Sequence, residues 1–587
     1  MKIIKLHVLR VVILTLPLII FGQNKYNLDF ETLLSNKATN WTNFGNGNHK
    51  ISFDLEHSKN GKVSGRIESD DSTEGYKALA YNIPANFSGK KIKLTGYLKT
   101  ENVTEGFAGL WMRIDPNIDF DNMASHKIQG TNDWTKYEIE LDYEDHANNI
   151  AIGGLLEGKG KIWIDNLVIA IDGKNIQTSK EIEKLSLEDY SPNELTLALS
   201  KSAFQLDLSN KETMGNSLDS LIAKIGTKEI VAIGESTHGT SEFFQLREMI
   251  TKRLVAEKGF NIVVLENPYD DIEILNNDLN SRPLDSLIRK HLFSIYQTQE
   301  MKSFLQWYKD NRTNYKIQLK GCDDSYWTFY ELLKEKINPV GDKKLKILLK
   351  NLESNISKSS TDNLKKEFKI NNSIYNNILA IEDHLKSINN LTDPIEEILF
   401  NGKNTYVNYV NIKNKKPIQS RDEIMADRIS FIAKNSDNKI IIWAHNAHIS
   451  NKIIADNEIG IMGRNLKKEF GKDYYTIGLT TLKGNYSYMN EKFINDDHNY
   501  TEKLKNASFQ STEKLLWENA FAQNSSSFYI HTSELKNELK TDKIFGATKL
   551  LGYSIESEED IYYIPILKNF DSLIFIEDTH STTPIFK

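Results

Sequence analysis

The sequence predicts two domains of different class. An N-terminal antiparallel β-sandwich precedes a large α/β domain with a mainly parallel sheet and a helical insertion. Three observations predict this. Residues 24–173 alternate apolar and polar side chains in short runs broken by turn signals, the period-two pattern of half-buried strands. From about residue 196, wholly apolar runs alternate with long helical patterns, which marks a sheet covered on both faces. Between 326 and 430 only helical periodicity is found, in a stretch rich in Lys, Glu, Leu and Asn. At roughly 100–200 residues per domain, the 587 residues also suit two or three domains.

Taken in order, the chain starts with Lys2, Lys5 and Arg10 and continues into an apolar run from Val11 to Phe21, closed by Gly22. Spanning a bilayer needs ~20 apolar residues, so residues 1–22 read as an export signal that leaves no stable membrane span once cleaved. The predicted location is periplasmic, secreted or cell-surface. Within 24–173 the alternating runs are Ile51–Leu55, Lys91–Leu98, Tyr137–Leu141 and Lys161–Ile169, with turns at Asn60-Gly61, Ser88-Gly89 and Glu157-Gly158. Residues 174–195 are polar and read as a linker. The α/β domain then runs over 196–587, with apolar strands at Ile230–Ile233, Ile262–Leu265, Ile317–Lys320 and Lys439–Trp443. The insertion at 326–430 is expected to cover a cleft or simply to pack.

Composition removes several classes of function. A net charge of −7 provides no bulk positive surface for nucleic acid. The single cysteine, Cys322, closes no intramolecular disulfide and builds no cysteine zinc site, so it reads as a small buried hydrophobe. No phosphate-binding glycine loop is present.

Candidate chemistry collects where apolar strands end, because the carboxyl edge of such a sheet opens into a crevice. The strand Val231–Ile233 runs into Gly234-Glu-Ser-Thr-His238, and later strands end in Glu266, in Gly321-Cys-Asp323 and in Trp443-Ala-His-Asn-Ala-His448. Ser236 suggests a nucleophile elbow but fails its pattern, since His238 occupies the place of the second glycine. Glu235, His238, Glu266, Asp323, His445 and His448 therefore form the candidate site, a mixture of acids and bases suited to proton transfer. Arg247 follows His238 by nine residues, about 2.5 helical turns, and a long side chain there points back toward the helix start.

Two resemblances follow from these residues. Asn27-Leu-Asp-Phe-Glu31 and Trp163-Ile-Asp-Asn-Leu-Val168 resemble the first and last strands of jelly-roll carbohydrate-binding modules, which implies a carbohydrate ligand for the N-terminal domain. Trp111 and Trp134 read first as core tryptophans and second as sugar-stacking platforms. Gly234–Arg247, Gly259–Glu266 and Trp443–His448 resemble the erythromycin esterase family, with further echoes in Arg421–Ala426, Met462-Gly463, Asp571–Thr579 and Thr583-Pro584. That resemblance covers residues 200–587. It implies opening of a lactone or ester by water, without a covalent serine intermediate.

Carried over by motif position, His238 is the general base, and Glu235 and Glu266 orient it or the attacking water. Arg247 holds charge within the site, while His445 and His448 polarise the carbonyl or protonate the leaving alkoxide. Asp323, Trp443 and His580 are assigned to substrate binding; at His580 the family commonly has Arg. Water is the expected nucleophile with no cofactor, and the expected substrate is a macrolide or an acylated glycan. Antibiotic resistance is the corresponding biological expectation. One alternative is a metal-dependent hydrolase in which the same His/Glu cluster binds a divalent ion. A second is a non-enzymatic surface protein that binds glycans.

Overall fold

The computed structural model describes residues 25–586, apart from 36, 70–74, 183–184, 325–327, 360–363, 415, 455–459, 489–503, 509–515 and 553–559. The segment read as an export signal lies outside the described residues. No helix among the described residues is long and apolar enough to cross a membrane. The chain divides into two compact units, residues 1–182 and 183–587.

The first unit is an antiparallel sandwich. Its strands are Trp41–Phe44 (β1), Lys50–Asp54 (β2), Ser64–Ser69 (β3), Tyr76–Pro84 (β4), Lys91–Asp115 (β5), Asp119–Asp121 (β6), Ile128–Asp142 (β7), Asn149–Glu157 (β8) and Lys159–Ile171 (β9). One layer pairs β1, β4, β8, the C-terminal part of β5 and β6. The other pairs β7, the N-terminal part of β5, β9, β3 and β2. Strand β5 thus runs on well past the expected Leu98 and serves both layers. Register shifts where Asn102 and Glu105 adopt positive φ interrupt its ladder between the two. Inward residues such as Leu79, Ile92, Leu110, Ile152 and Ile164 fill the space between layers. Trp111 lies on the outer face yet is buried; it donates Nε1–H to the Leu79 carbonyl at 3.0 Å and meets the Phe44 ring edge-on.

The expected linker narrows sharply. Ile176 is buried in the sandwich core and Ile182 N–H bonds the Asn86 carbonyl. On the other side, Leu187 belongs to the second core and a capping box at Ser191 and Glu194 starts a helix at Pro192. Apolar anchors at both ends pull most of 174–195 into one unit or the other.

In the second unit the main sheet is built chiefly from Ala203–Gln205 (β10), Ile230–Ile233 (β11), Ile262–Pro268 (β12), Gln318–Asp323 (β13), Ile440–Trp443 (β14), Tyr474–Tyr488 (β15), Ser527–His531 (β16) and Ser572–Thr579 (β17). Their order is β10-β16-β17-β15-β11-β14-β12-β13. Strands β15, β11, β14, β12 and β13 are mutually parallel and β17 joins β15 in parallel, while β16 and β10 form an antiparallel edge. Val231 and Ile233 enter one core while Ile230 and Ala232 enter the other, so every residue of β11 is buried. Burying each such aliphatic side chain contributes roughly 1.5–3 kcal/mol, and only a doubly covered strand gains this at every position.

The insertion folds as helices Phe329–Lys336, Lys343–Ile356, Leu364–Ser387 and Asp393–Lys413 around its own core, which includes Phe329, Leu349, Ile378, Leu399 and Tyr406. It returns to the sheet through the helix Arg421–Ala433.

Candidate active site

Parallel strands bring their carboxyl ends to one edge, and the candidate residues collect there. The strand β11 stops at Gly234, where a Cβ would stand 1.9 Å from Asn446 Oδ1; only glycine lets the next loop pass this close. The loop 235–240 then leads into helix α1, Ser241–Lys258. Gly239 is equally constrained, since a Cβ there would meet the Ser487 carbonyl at 2.0 Å.

Glu235, His238 and Arg247 form one buried group. His238 Nδ1 lies 2.9 Å from Glu235 Oε1, and Arg247 Nη1 lies 2.9 Å from Glu235 Oε2 as an ion pair without hydrogen-bond alignment. Arg247 is fully buried on the second turn of α1 and reaches back to donate Nε–H to the Gly234 carbonyl at 3.1 Å and Nη2–H to the Ala444 carbonyl at 2.7 Å. A buried guanidinium with three partners locks the carboxylate, which in turn fixes the imidazole. With Nδ1–H donated to Glu235, Nε2 of His238 is the nitrogen that would accept a proton.

A second group surrounds Glu266 at the end of β12. Its Oε1 accepts from Arg421 Nη2 at 3.0 Å and lies 3.2 Å from His448 Nε2, and its Oε2 accepts the His445 backbone N–H at 3.0 Å. Asp323, at the end of β13, takes Arg421 Nε–H at 2.8 Å and Nη2–H at 2.5 Å. His448 Nδ1 lies 2.6 Å from Asp422 Oδ1. Burial disfavours these charges, yet the His448 and Arg421 cations hold Glu266 well below the usual carboxylate range, and Arg421 lowers Asp323. Burial also opposes protonation of His448, but the Asp422 and Glu266 carboxylates push it up to about 10.

His445 stands between the groups, its ring centroid 4.8 Å from that of His238 and 6.5 Å from that of His448. It caps the short helix α2, Asn446–Ile449, by accepting the Ala447 N–H at Nδ1 over 3.3 Å, so Nε2 carries the ring proton. Burial and then the neighbouring His238 and His448 hold it well below the ordinary imidazole range, with only the Ser236 carbonyl and Glu266 pulling the other way. His445 is therefore a neutral N–H donor.

Two candidates are not brought into either hydrogen-bonded group. Trp443 is fully buried beneath the site, donates Nε1–H to Thr251 Oγ1 at 3.0 Å and packs on Phe304. Its strand is covered on both faces, so an aromatic at the strand end can face the core. The His580 side chain is 77% exposed at the surface and paired with Glu242 at 2.7 Å. Two residues of this cluster went unassigned from sequence, Arg421 and Asp422. They open helix α3, Arg421–Ala433, whose start is fixed by a Ser420–Glu423 capping box. The capping signal was readable, but their partners lie up to 155 positions away.

A cavity of about 660 Å³, lined by Ile262, Gln318, Lys320 and Glu397, opens at the starts of β12 and β13, away from the histidines. Among the described residues no group of three or more His, Cys, Asp or Glu side chains is arranged to hold a metal ion.

A sequence model of the erythromycin esterase family matches residues 255–579, which includes Glu266, Asp323, Arg421, Asp422, His445 and His448. The erythromycin esterase type II of Escherichia coli is 25% identical over 371 residues, 56% of this chain and 87% of that protein. An uncharacterized HTH-type transcriptional regulator of Bacillus subtilis, YbfP, is 32% identical over 149 residues, and the match spans half of its length and 24% of this chain. Among solved structures, a Bacillus cereus protein of 21% identity superposes with a TM-score of 0.57, over 67% of this chain and 99% of its own, a likeness of fold.

Proposed function

This chain belongs to the erythromycin esterase family, whose membership points to a hydrolase, and we propose that it cleaves an ester or lactone with water activated at His238. The observation that carries this reading is the buried Arg247–Glu235–His238 relay beside a neutral His445. Glu235 holds Nδ1–H of His238, and Nε2 takes a proton from water as the water oxygen bonds to the acyl carbon. The carbonyl electron pair moves onto its oxygen, which His445 Nε2–H stabilises by donation. When the carbonyl re-forms, the carbon–oxygen bond to the alcohol breaks and His238 returns the proton to the departing oxygen. The sum is ester plus water to acid plus alcohol, with His238 restored.

The proposed substrates are a macrolide or an acylated glycan, with water as nucleophile and no cofactor. A panel of macrolides, aryl esters and acylated oligosaccharides, run with and without chelator, tests this. Chelator-insensitive turnover that His238→Ala abolishes supports it. Loss of turnover on chelation favours the divalent-metal route, and turnover unchanged in His238→Ala overturns the mechanism.

The outer face of the sandwich supports a glycan ligand for the first unit. Phe44 and Phe120 are exposed there, beside Arg113, Asp115, Asn149 and Asn82, which are linked by hydrogen bonds. Apolar rings next to polar groups suit a sugar's two kinds of surface. A glycan array comparing the full chain with Phe44→Ala/Phe120→Ala tests it; equal binding by both excludes this face. Export is proposed from residues 1–22, and N-terminal sequencing of protein recovered outside the cytoplasm tests it; a chain still beginning at Met1 counts against it.

A further inference from the structure

We propose that Asp422 is a positioning residue for this site: it captures Nδ1–H of His448, commits Nε2–H to Glu266, and makes His448 a fixed cation rather than a base. Its kinetic consequence rests on the hydrolytic reading above; its structural content does not.

The geometry is closed around Asp422 itself. Asp422 is buried, and while Oδ1 faces His448 Nδ1 at 2.6 Å, Oδ2 accepts the Met462 backbone N–H at 3.0 Å, so the carboxylate is held at both oxygens. The capping box at Ser420 fixes the helical turn that carries it. The groups facing His448 are Asp422 and Arg421 from α3, Glu266 from β12 and His445 from its own segment. Arg421 Nη1 approaches Nε2 at 3.5 Å, yet the Arg421 charge is shared with Asp323. Two carboxylates therefore outweigh one divided guanidinium. An imidazole that donates both N–H groups to carboxylates has no lone pair for a proton, which leaves base chemistry to His238. It also fixes Glu266, whose other oxygen anchors the His445 backbone. Asp422 thus acts on the site through His448, without needing to touch substrate.

The test is an NMR titration of the full-length protein labelled with ¹³C at histidine Cε1, with His448→Gln identifying the resonance. In wild type, His448 is expected to stay charged until about pH 10. In Asp422→Asn the midpoint is expected to fall by roughly two pH units or more, and Asp422→Glu to restore part of the shift. A wild-type midpoint near that of free histidine overturns the proposal even if the variants do not fold. An unchanged midpoint in a folded Asp422→Asn does so as well. On any ester turned over, Asp422→Asn should lower kcat with little change in KM and add a new limb to the pH profile. If no ester is turned over the titration still decides the matter, so failure of the hydrolase reading is distinguishable from failure of this one.

Discussion

Two histidine groups share one sheet edge but differ in the carboxylates each imidazole meets. His238 hydrogen-bonds Glu235, which itself leans on a fully buried arginine. His448 has two, Asp422 and Glu266, with Arg421 spread between Glu266 and Asp323. One carboxylate orients an imidazole and supports the cation that forms when it takes a proton. Two hold that cation well above neutral pH. On the proposed reading, the same residue types provide a reactive group on one side and a fixed charge on the other, and the doubly carboxylate-bonded imidazole is the fixed one. A resemblance between motifs assigns both histidines to chemistry; only the hydrogen bonds separate their roles.

The widest test of this asymmetry is removal of the reactive imidazole. His238→Ala is expected to lower kcat/KM by ~10²–10⁴-fold, the usual range for a general base, with the circular dichroism spectrum unchanged. A comparable loss in His448→Gln with an unaltered pH profile would merge the two roles. Next comes the arginine behind Glu235. Arg247→Met leaves a buried carboxylate without its cation, and breaking such a pair costs about 3–5 kcal/mol, read as a lower urea midpoint. Arg247→Lys should recover little, because one ammonium cannot reach Glu235, Gly234 and Ala444 together.

The difference between the groups also marks what sequence reasoning reaches. Glu235, His238, Glu266, His445 and His448 follow wholly apolar runs, and a run that must be buried on both faces announces where its polar end emerges. Arg247 follows from helical spacing. Arg421 and Asp422 carry no such local mark. They begin a helix after an insertion of about a hundred residues, and only the fold of that insertion decides what they meet. Trp443 is hard to place for the opposite reason: its position near His445 in the chain says nothing of which face of β14 it takes. Strand β5 was underestimated because bulges at Asn102 and Glu105 bend a strand without ending it.

A third, smaller effect separates the groups by pH. The folded pKa of His448 is raised, so its contribution to stability is complete below about 6.5 and is lost as pH climbs toward about 10. Glu266 and Asp323 are lowered, so theirs is present above about 4 and is lost as pH falls further. Urea melts from pH 6 to 10 should therefore show a decline of order a few kcal/mol in wild type. In His448→Gln that part of the slope should be missing. Equal alkaline slopes in the two proteins would mean that His448 is not held as a cation.

The smallest effect is expected where the two groups are absent. His580 follows the end of β17, at the same edge of the sheet as Glu266 and Asp323, and position alone makes it a candidate. Its side chain is 77% exposed, however, and its partner is Glu242 on the first turn of α1. That hydrogen bond raises its pKa, but water surrounds the pair and screens most of the attraction. His580→Ala should change stability by no more than about 0.5 kcal/mol and leave kcat within about twofold. A selective rise in KM would instead place His580 against substrate and extend the site outward along the start of α1. An unchanged KM would confine recognition to the groups around His238 and His448, where each charge has a buried partner to hold it in place.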